Sequence, residues 1–367
     1  MLIQGSLNSL GKVAGVMALA MLPSLLSADE YIQTNLASSV PGLAANTDPN
    51  LVNPWGASFS GTSPFWVSDQ GSGLSTLYNG AGTPASLVVT IPGGTGPTAG
   101  PTGQVFNSTT SFAVSGTPSH FIFDNLNGTI SAWTGGTSAV TVATTPGAVY
   151  TGLALASSGS ANYLYAANSK GGINVFNSSF QPTTLAGNFT DPNAIAGYTA
   201  FNVQSIGSKL YVTYALLNPD GSSQPGGYID IFNTNGTFVS RFASGGTLNA
   251  PWGLAEAPLT FGSFGGDLLV GENGDGAIDA FNATTGAYAG TLEGVNGQPL
   301  VFDDLWAIDF RTGGTAINPN ALYFFEGINN DTGGVFGELT TPEPASLLLG
   351  GLGVVGLGLL RRLRKTS

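Results

Sequence analysis

The chain has 367 residues, with 9 Lys and Arg against 21 Asp and Glu, 55 Gly, a single His and no Cys. Without cysteine there are no disulfides and no Cys-type zinc centre, His120 alone cannot supply a multi-His metal site, and any Ser-His-Asp triad would have to be built on that one residue. Abundant Gly, Ser, Thr, Asn and aromatic residues with few Lys or Glu favour strands and turns over helices.

Lys12 is the only charge before Asp29, and residues 13–27 form an apolar run ending in Ser27-Ala28. That order predicts a secretory signal peptide over 1–28, and hence export through the secretion machinery. With residues 1–28 and the C-terminal 341–367 set aside, four bases (Lys170, Lys209, Arg241, Arg311) face twenty acids, a net charge of −16. Such a surface repels nucleic acid and anionic lipid, and leaves cations, neutral glycans and basic proteins as partner classes.

The segment "YIQTNLAS" at 31–38 alternates like a strand. Six copies of one pattern follow. Their openers are "PWGASF" (54–59), "PTGQVF" (101–106), "TGLALA" (151–156), "FNVQSI" (201–206), "PWGLAE" (251–256) and "LWAIDF" (305–310). Aligned on Gly56, Gly103, Gly152, Asn202, Gly253 and Ala307, they recur every 47, 49, 50, 51 and 54 residues. After each opener comes an apolar strand with a polar end, as in "FWVSD" (65–69) or "DLLVGEN" (267–273), then a Gly-led strand, a turn and a weaker outer strand.

Four strands per unit, six times over, predict an all-β fold: a six-bladed β-propeller of four-stranded blades filling residues 29–340. The sixth unit ends its third strand at Leu339 with no room for a fourth. Residues 31–38 are expected to supply it, closing the ring and removing an open edge.

In such a blade, the turn between second and third strands and the loop joining successive blades open on one rim. Asp69, Asp124, Asn168, Glu272, Asp303 and Asp304 fall in these places and are candidates for a metal or ligand site at the channel mouth. Carboxylates and amides without His or Cys are hard oxygen donors that suit Ca²⁺. The bland alternative is turn chemistry, because Asp and Asn bond their own backbone. Adjacent Asp303 and Asp304 stand out, since they repel unless a cation or solvent relieves them. Trp55, Trp252 and Trp306 take repeat positions held elsewhere by Thr102, Thr151 or Phe201, which points to packing between blades.

The chain closes on Pro342-Glu343-Pro344, sixteen uncharged residues from Ala345 to Leu360, and then Arg361, Arg362, Arg364 and Lys365. The apolar run predicts a short transmembrane helix over 345–360 with a cytoplasmic C-terminus. This order resembles the PEP-CTERM sorting signal of Gram-negative bacteria. The resemblance implies an exosortase as processing partner and transfer from the inner membrane to the cell surface or beyond. Phrases such as "LVNPWGASF", "SKLYVTYA" and "LLVGENGDGAIDAFN" also resemble a family of exported bacterial propellers of unknown function. Three functions are weighed, the last a purely structural role with no ligand. One is a non-enzymatic surface or matrix module associated with extracellular polysaccharide. The alternative is a Ca²⁺-dependent, lactonase-like hydrolase, which rests on fold analogy.

Overall fold

The computed structural model describes residues 30–342 apart from Pro97. Over this span the chain forms six sheets arranged as the blades of a propeller, antiparallel from innermost to outer strand, and a small two-stranded sheet of Ala113–Val114 with Thr117–Pro118. The innermost strands are Pro54–Ser58, Pro101–Phe106, Tyr150–Ser158, Tyr198–Ile206, Pro251–Glu256 and Asp304–Phe310. Each contacts the innermost strand of the next blade, and the last contacts the first. The apolar segments read from the sequence are the second strands, for instance Phe65–Asp69, Phe121–Asn125 and Asp267–Glu272. In the first five blades the outer strands vary from two residues, Val89–Thr90 and Pro182–Thr183, to seven in Phe238–Ser244.

The aligned glycines have a steric cause. A Cβ on Gly56 would run into the Thr102 carbonyl, one on Gly103 into the Leu153 amide, and one on Gly253 into the Trp306 carbonyl. Innermost strands are thus packed backbone to backbone around the axis, which only glycine permits. The fourth blade carries Asn202 instead. Its Nδ2 donates to the Trp252 carbonyl at 2.7 Å, and its Oδ1 accepts from the Val203 amide. The larger side chain here replaces close approach with a hydrogen bond.

The N-terminal strand closes the ring as expected. Glu30–Ser38 pairs antiparallel with Gly333–Thr340, from Ile32 opposite Thr340 to Ser38 opposite Val335, with one bulge between Asn35 and Ala37. The joint between the last and first blades is filled by aromatics: Phe65 lies 4.8 Å from Tyr323 and 5.3 Å from Phe336, ring centre to ring centre. Two additions were not expected. Asn46–Thr47 and Glu293–Gly294 each add a short parallel pairing to the closing strand, tying it to the first loop and to the fifth blade's exit. The expected signal peptide over 1–28 and transmembrane helix over 345–360 lie outside the described residues. So do Glu343, Pro344, Arg361 and Arg362. Among the described residues no helix is long and apolar enough to cross a membrane.

Candidate functional site: two ends of one channel

Every innermost strand carries a register shift against its neighbour at the same height. It falls between Pro54 and Ala57, opposite Phe123–Asn125 in the second blade, at Tyr150/Gly152, Ala200/Asn202 and Pro251/Gly253, and between Leu305 and Ile308. A bulge of this kind gives one strand an extra residue and re-aims its side chain. The residues at the shift are Trp55, Thr102, Thr151, Phe201, Trp252 and Trp306. All are buried. Trp55 stacks on Trp306 with ring centres 3.5 Å apart, while Trp252 and Phe201 meet Trp306 at 5.8 and 6.0 Å. Trp252 Nε1 donates to the Thr151 carbonyl at 2.9 Å, reaching from the fifth blade to the third. Trp306 Nε1 donates to Asn53 Oδ1. The indoles therefore cross the axis and seal the channel toward the end where the blades are joined, here called the upper end.

Several polar residues at this end, Glu326 now among them, are held blade by blade. Asn168 Oδ1 accepts from the Val149 amide at 3.0 Å, Glu272 Oε2 from the Asn249 amide at 2.7 Å, and Glu326 Oε2 from the Asp303 amide at 3.1 Å. In three blades, then, the last polar residue of the second strand pins the loop leading into the same blade. Asp69 Oδ2 accepts from both the Thr76 amide and the Thr76 hydroxyl. Asp124 Oδ1 accepts from the Gly103 amide at 2.6 Å and lies 2.8 Å from the Thr102 hydroxyl, behind the plug.

Burial raises Asp69 and Glu272 well above the usual carboxyl range and pushes Asp124 and Glu326 up to about 7. Asp304 is raised to about 6 by burial and then by Asp331 and Asp303, while Asp303 itself is exposed. Among the described residues, no three His, Cys, Asp or Glu side chains are grouped to hold a metal. His120 is exposed, with its ring 5.9 Å from that of Trp133.

Below the plug the same six strands return to regular pleat and surround a cavity of about 380 Å³. Its wall includes Ser58, Gln104, Gln204, Ser205 and Asp309 beside Phe59, Phe106 and Trp252. Two of its amides brace the ring. Gln104 Nε2 donates to the carbonyls of Gly56 and Trp66 in the first blade, and Gln204 Nε2 to Leu254 in the fifth. Asp309 keeps some open surface on the channel, but protein encloses most of its carboxyl, and this burial pushes it up to about 7. A larger groove of about 470 Å³ lies at the outer edge of the third blade, and its lining includes no titratable side chain.

Sequence reading overlooked the lower cavity because it searched the loops. Its trace was present nonetheless: Gln104, Gln204 and Asp309 are polar residues at the fourth or fifth place of their openers. The lower end is also where the chain departs. Asp309 pairs with Tyr323, and Tyr323 with Glu338, close to Thr340 where the last strand stops.

These features define an all-β, six-bladed propeller with a one-ended channel. Residues 340–365 match the PEP-CTERM protein-sorting motif, which marks the chain for export and surface sorting by an exosortase-type system. The uncharacterized protein R648 of Acanthamoeba polyphaga mimivirus is 31% identical over 330 residues, covering 83% of this chain and 78% of that protein. Protein L690 of the same virus is 30% identical over 334 residues, covering 82% of this chain and 83% of that protein. The chain belongs to the family that includes these proteins. Among solved structures, the apo soluble aldose sugar dehydrogenase of Escherichia coli superposes with a TM-score of 0.52 at 12% identity, over 85% of this chain and 100% of that one. A glucose dehydrogenase gives 0.50 at 11% identity, over 85% and 100%. Identities this low show the fold alone.

Proposed function

We propose that this protein is a non-enzymatic binding module, delivered to the cell surface or extracellular matrix of a Gram-negative bacterium and associated there with exopolysaccharide. The observation that carries this reading is the junction at Thr340. The matched sorting motif begins at residue 340, where the last strand of the closed ring ends, so the whole ring is the cargo of the tail. In this reading the apolar segment 345–360 holds the chain in the inner membrane with its C-terminus cytoplasmic until an exosortase acts. The strong net negative charge suits a neutral matrix polymer better than an anionic one.

The test is cell fractionation of the full-length chain beside a variant with Pro342, Glu343 and Pro344 all changed to Ala. The expected result is a shortened product at the surface or in the medium for the natural chain, carried with the polysaccharide fraction. The variant should stay cell-associated and unshortened. Equal processing of both, or retention of the natural chain in the cytoplasm, would contradict the reading.

A further inference from the structure

We propose that the lower half of the channel is a binding site for the uncharged, hydroxyl-rich end of a glycan chain, taken end-on. The proposal rests on the binding-module reading and names the site and ligand class within it. Three features of the cavity lead there.

The first is that it is blind. Trp252 reaches across the axis to the Thr151 carbonyl, and Trp55 stacks on Trp306, so nothing can thread the ring. A polymer can enter only by its terminus. The second is size: about 380 Å³ lies within the roughly 300–1,000 Å³ of small-ligand pockets.

The third is chemistry. The wall offers the hydroxyl of Ser205, the amide oxygen of Gln204, the carboxyl of Asp309 and the hydroxyl oxygen of Ser58, whose proton goes to Gln104 Oε1 at 3.1 Å, set beside the rings of Phe59 and Phe106. Hydroxyl and acceptor groups next to aromatic faces match the mixed polar and C–H surface of a sugar ring. Asp309 is the sole charged residue in the lining, and Arg311 lies behind Phe59, its guanidinium 4.5 Å from the ring centre. An acidic sugar would therefore meet a carboxyl without a base in the wall, so anionic glycans are disfavoured. The site is also stiff, because Gln104, Asn202 and Gln204 tie adjacent blades by side-chain hydrogen bonds. Little conformational freedom is then left to lose on binding.

The test probes the full-length chain on an array of neutral, amino-bearing and acidic glycans, with Ser58→Trp and Ser205→Trp as pocket-filling variants. Ser58 is half-buried and Ser205 exposed, so both can carry a larger ring that occupies the cavity. Neutral chains should bind, and the free terminal disaccharide of a bound chain should compete. Each filled variant should bind at least about tenfold more weakly; the thermal midpoint of Ser205→Trp should be unchanged, while Ser58→Trp also gives up the Ser58–Gln104 hydrogen bond.

Binding that survives both fillings in folded protein would overturn the site while leaving the binding-module reading intact. Failure of the natural chain to bind any glycan would overturn both. Binding of acidic glycans alone would overturn the ligand class, and competition by long chains only would overturn the end-on mode.

Discussion

The two ends of the channel are built by the same six strands yet have opposite characters. Above, a bulge in every blade turns Trp55, Phe201, Trp252 and Trp306 inward, and they close the axis as a dry aromatic plug. Below, regular pleat leaves Ser58, Gln204 and Asp309 around an open cavity. One residue of register per blade separates a core from a site. The comparison also shows that polar residues near an axis are not by themselves a ligand site. At the upper end Asn168, Glu272 and Glu326 pin the loops leading into their own blades.

The comparison is broken most forcefully at the plug. Trp306→Ala removes the ring shared by Trp55, Phe201 and Trp252, and should reduce unfolding free energy by about 3–5 kcal/mol in urea titration. Phe106→Ala, on the half-buried lower wall, should cost clearly less. Equal losses would mean that the two ends do not differ in packing.

Next is the backbone contact. Gly103→Ala forces a Cβ against the Leu153 amide and should destabilise by about 1–3 kcal/mol. Gly61→Ala, with no atom within 4 Å of the added carbon, should change little.

The buried carboxyls predict a pH dependence with a definite sign. Asp124, Asp309 and Glu326 sit at about 7 in the folded chain, above the roughly 3.9–4.3 of an exposed carboxyl. Between about pH 4 and 7 the folded state therefore binds more protons than the unfolded chain, and stability falls as pH rises through that window. The thermal midpoint should be higher at pH 5 than at pH 8. Asp124→Asn keeps an oxygen acceptor for Gly103 while removing the buried charge. It should raise the midpoint at pH 8 and flatten the slope. A midpoint that climbs from pH 5 to 8 would contradict the burial of these groups.

The smallest effect is expected from calcium. Because no three upper carboxylates are grouped to hold a metal among the described residues, millimolar Ca²⁺ should leave the thermal midpoint where it is. A rise of several degrees, lost on changing Asp303 and Asp304 to Asn, would show that these side chains regroup around a cation.

Much of the fold was legible in the sequence because each repeat states its own hydrogen-bonding and packing needs. The openers mark innermost strands, the aligned glycines mark backbone contact, and residues 31–38 fit the vacancy after Leu339. The plug was legible only in part. Trp55, Trp252 and Trp306 read as packing residues, but a bulge leaves no mark in alternation that distinguishes inward from sideways. The polar brackets were hidden for another reason: Glu272 bonds an amide 23 positions earlier, a distance no local motif encodes. The parallel pairing of Glu293–Gly294 with Glu30–Tyr31 joins segments far apart in the chain and was equally invisible.

The absence of cysteine allows a direct test of the one-ended channel. Single cysteines placed at Ser58, on the lower wall, and at Thr151, at the height of the plug where its carbonyl accepts from Trp252, would be treated with a maleimide reagent in the folded protein. A sealed upper end predicts rapid modification of Ser58→Cys and protection of Thr151→Cys until the ring unfolds. Comparable rates at both positions would show that the channel is open through its length, and would contradict both the plug and the end-on site beneath it.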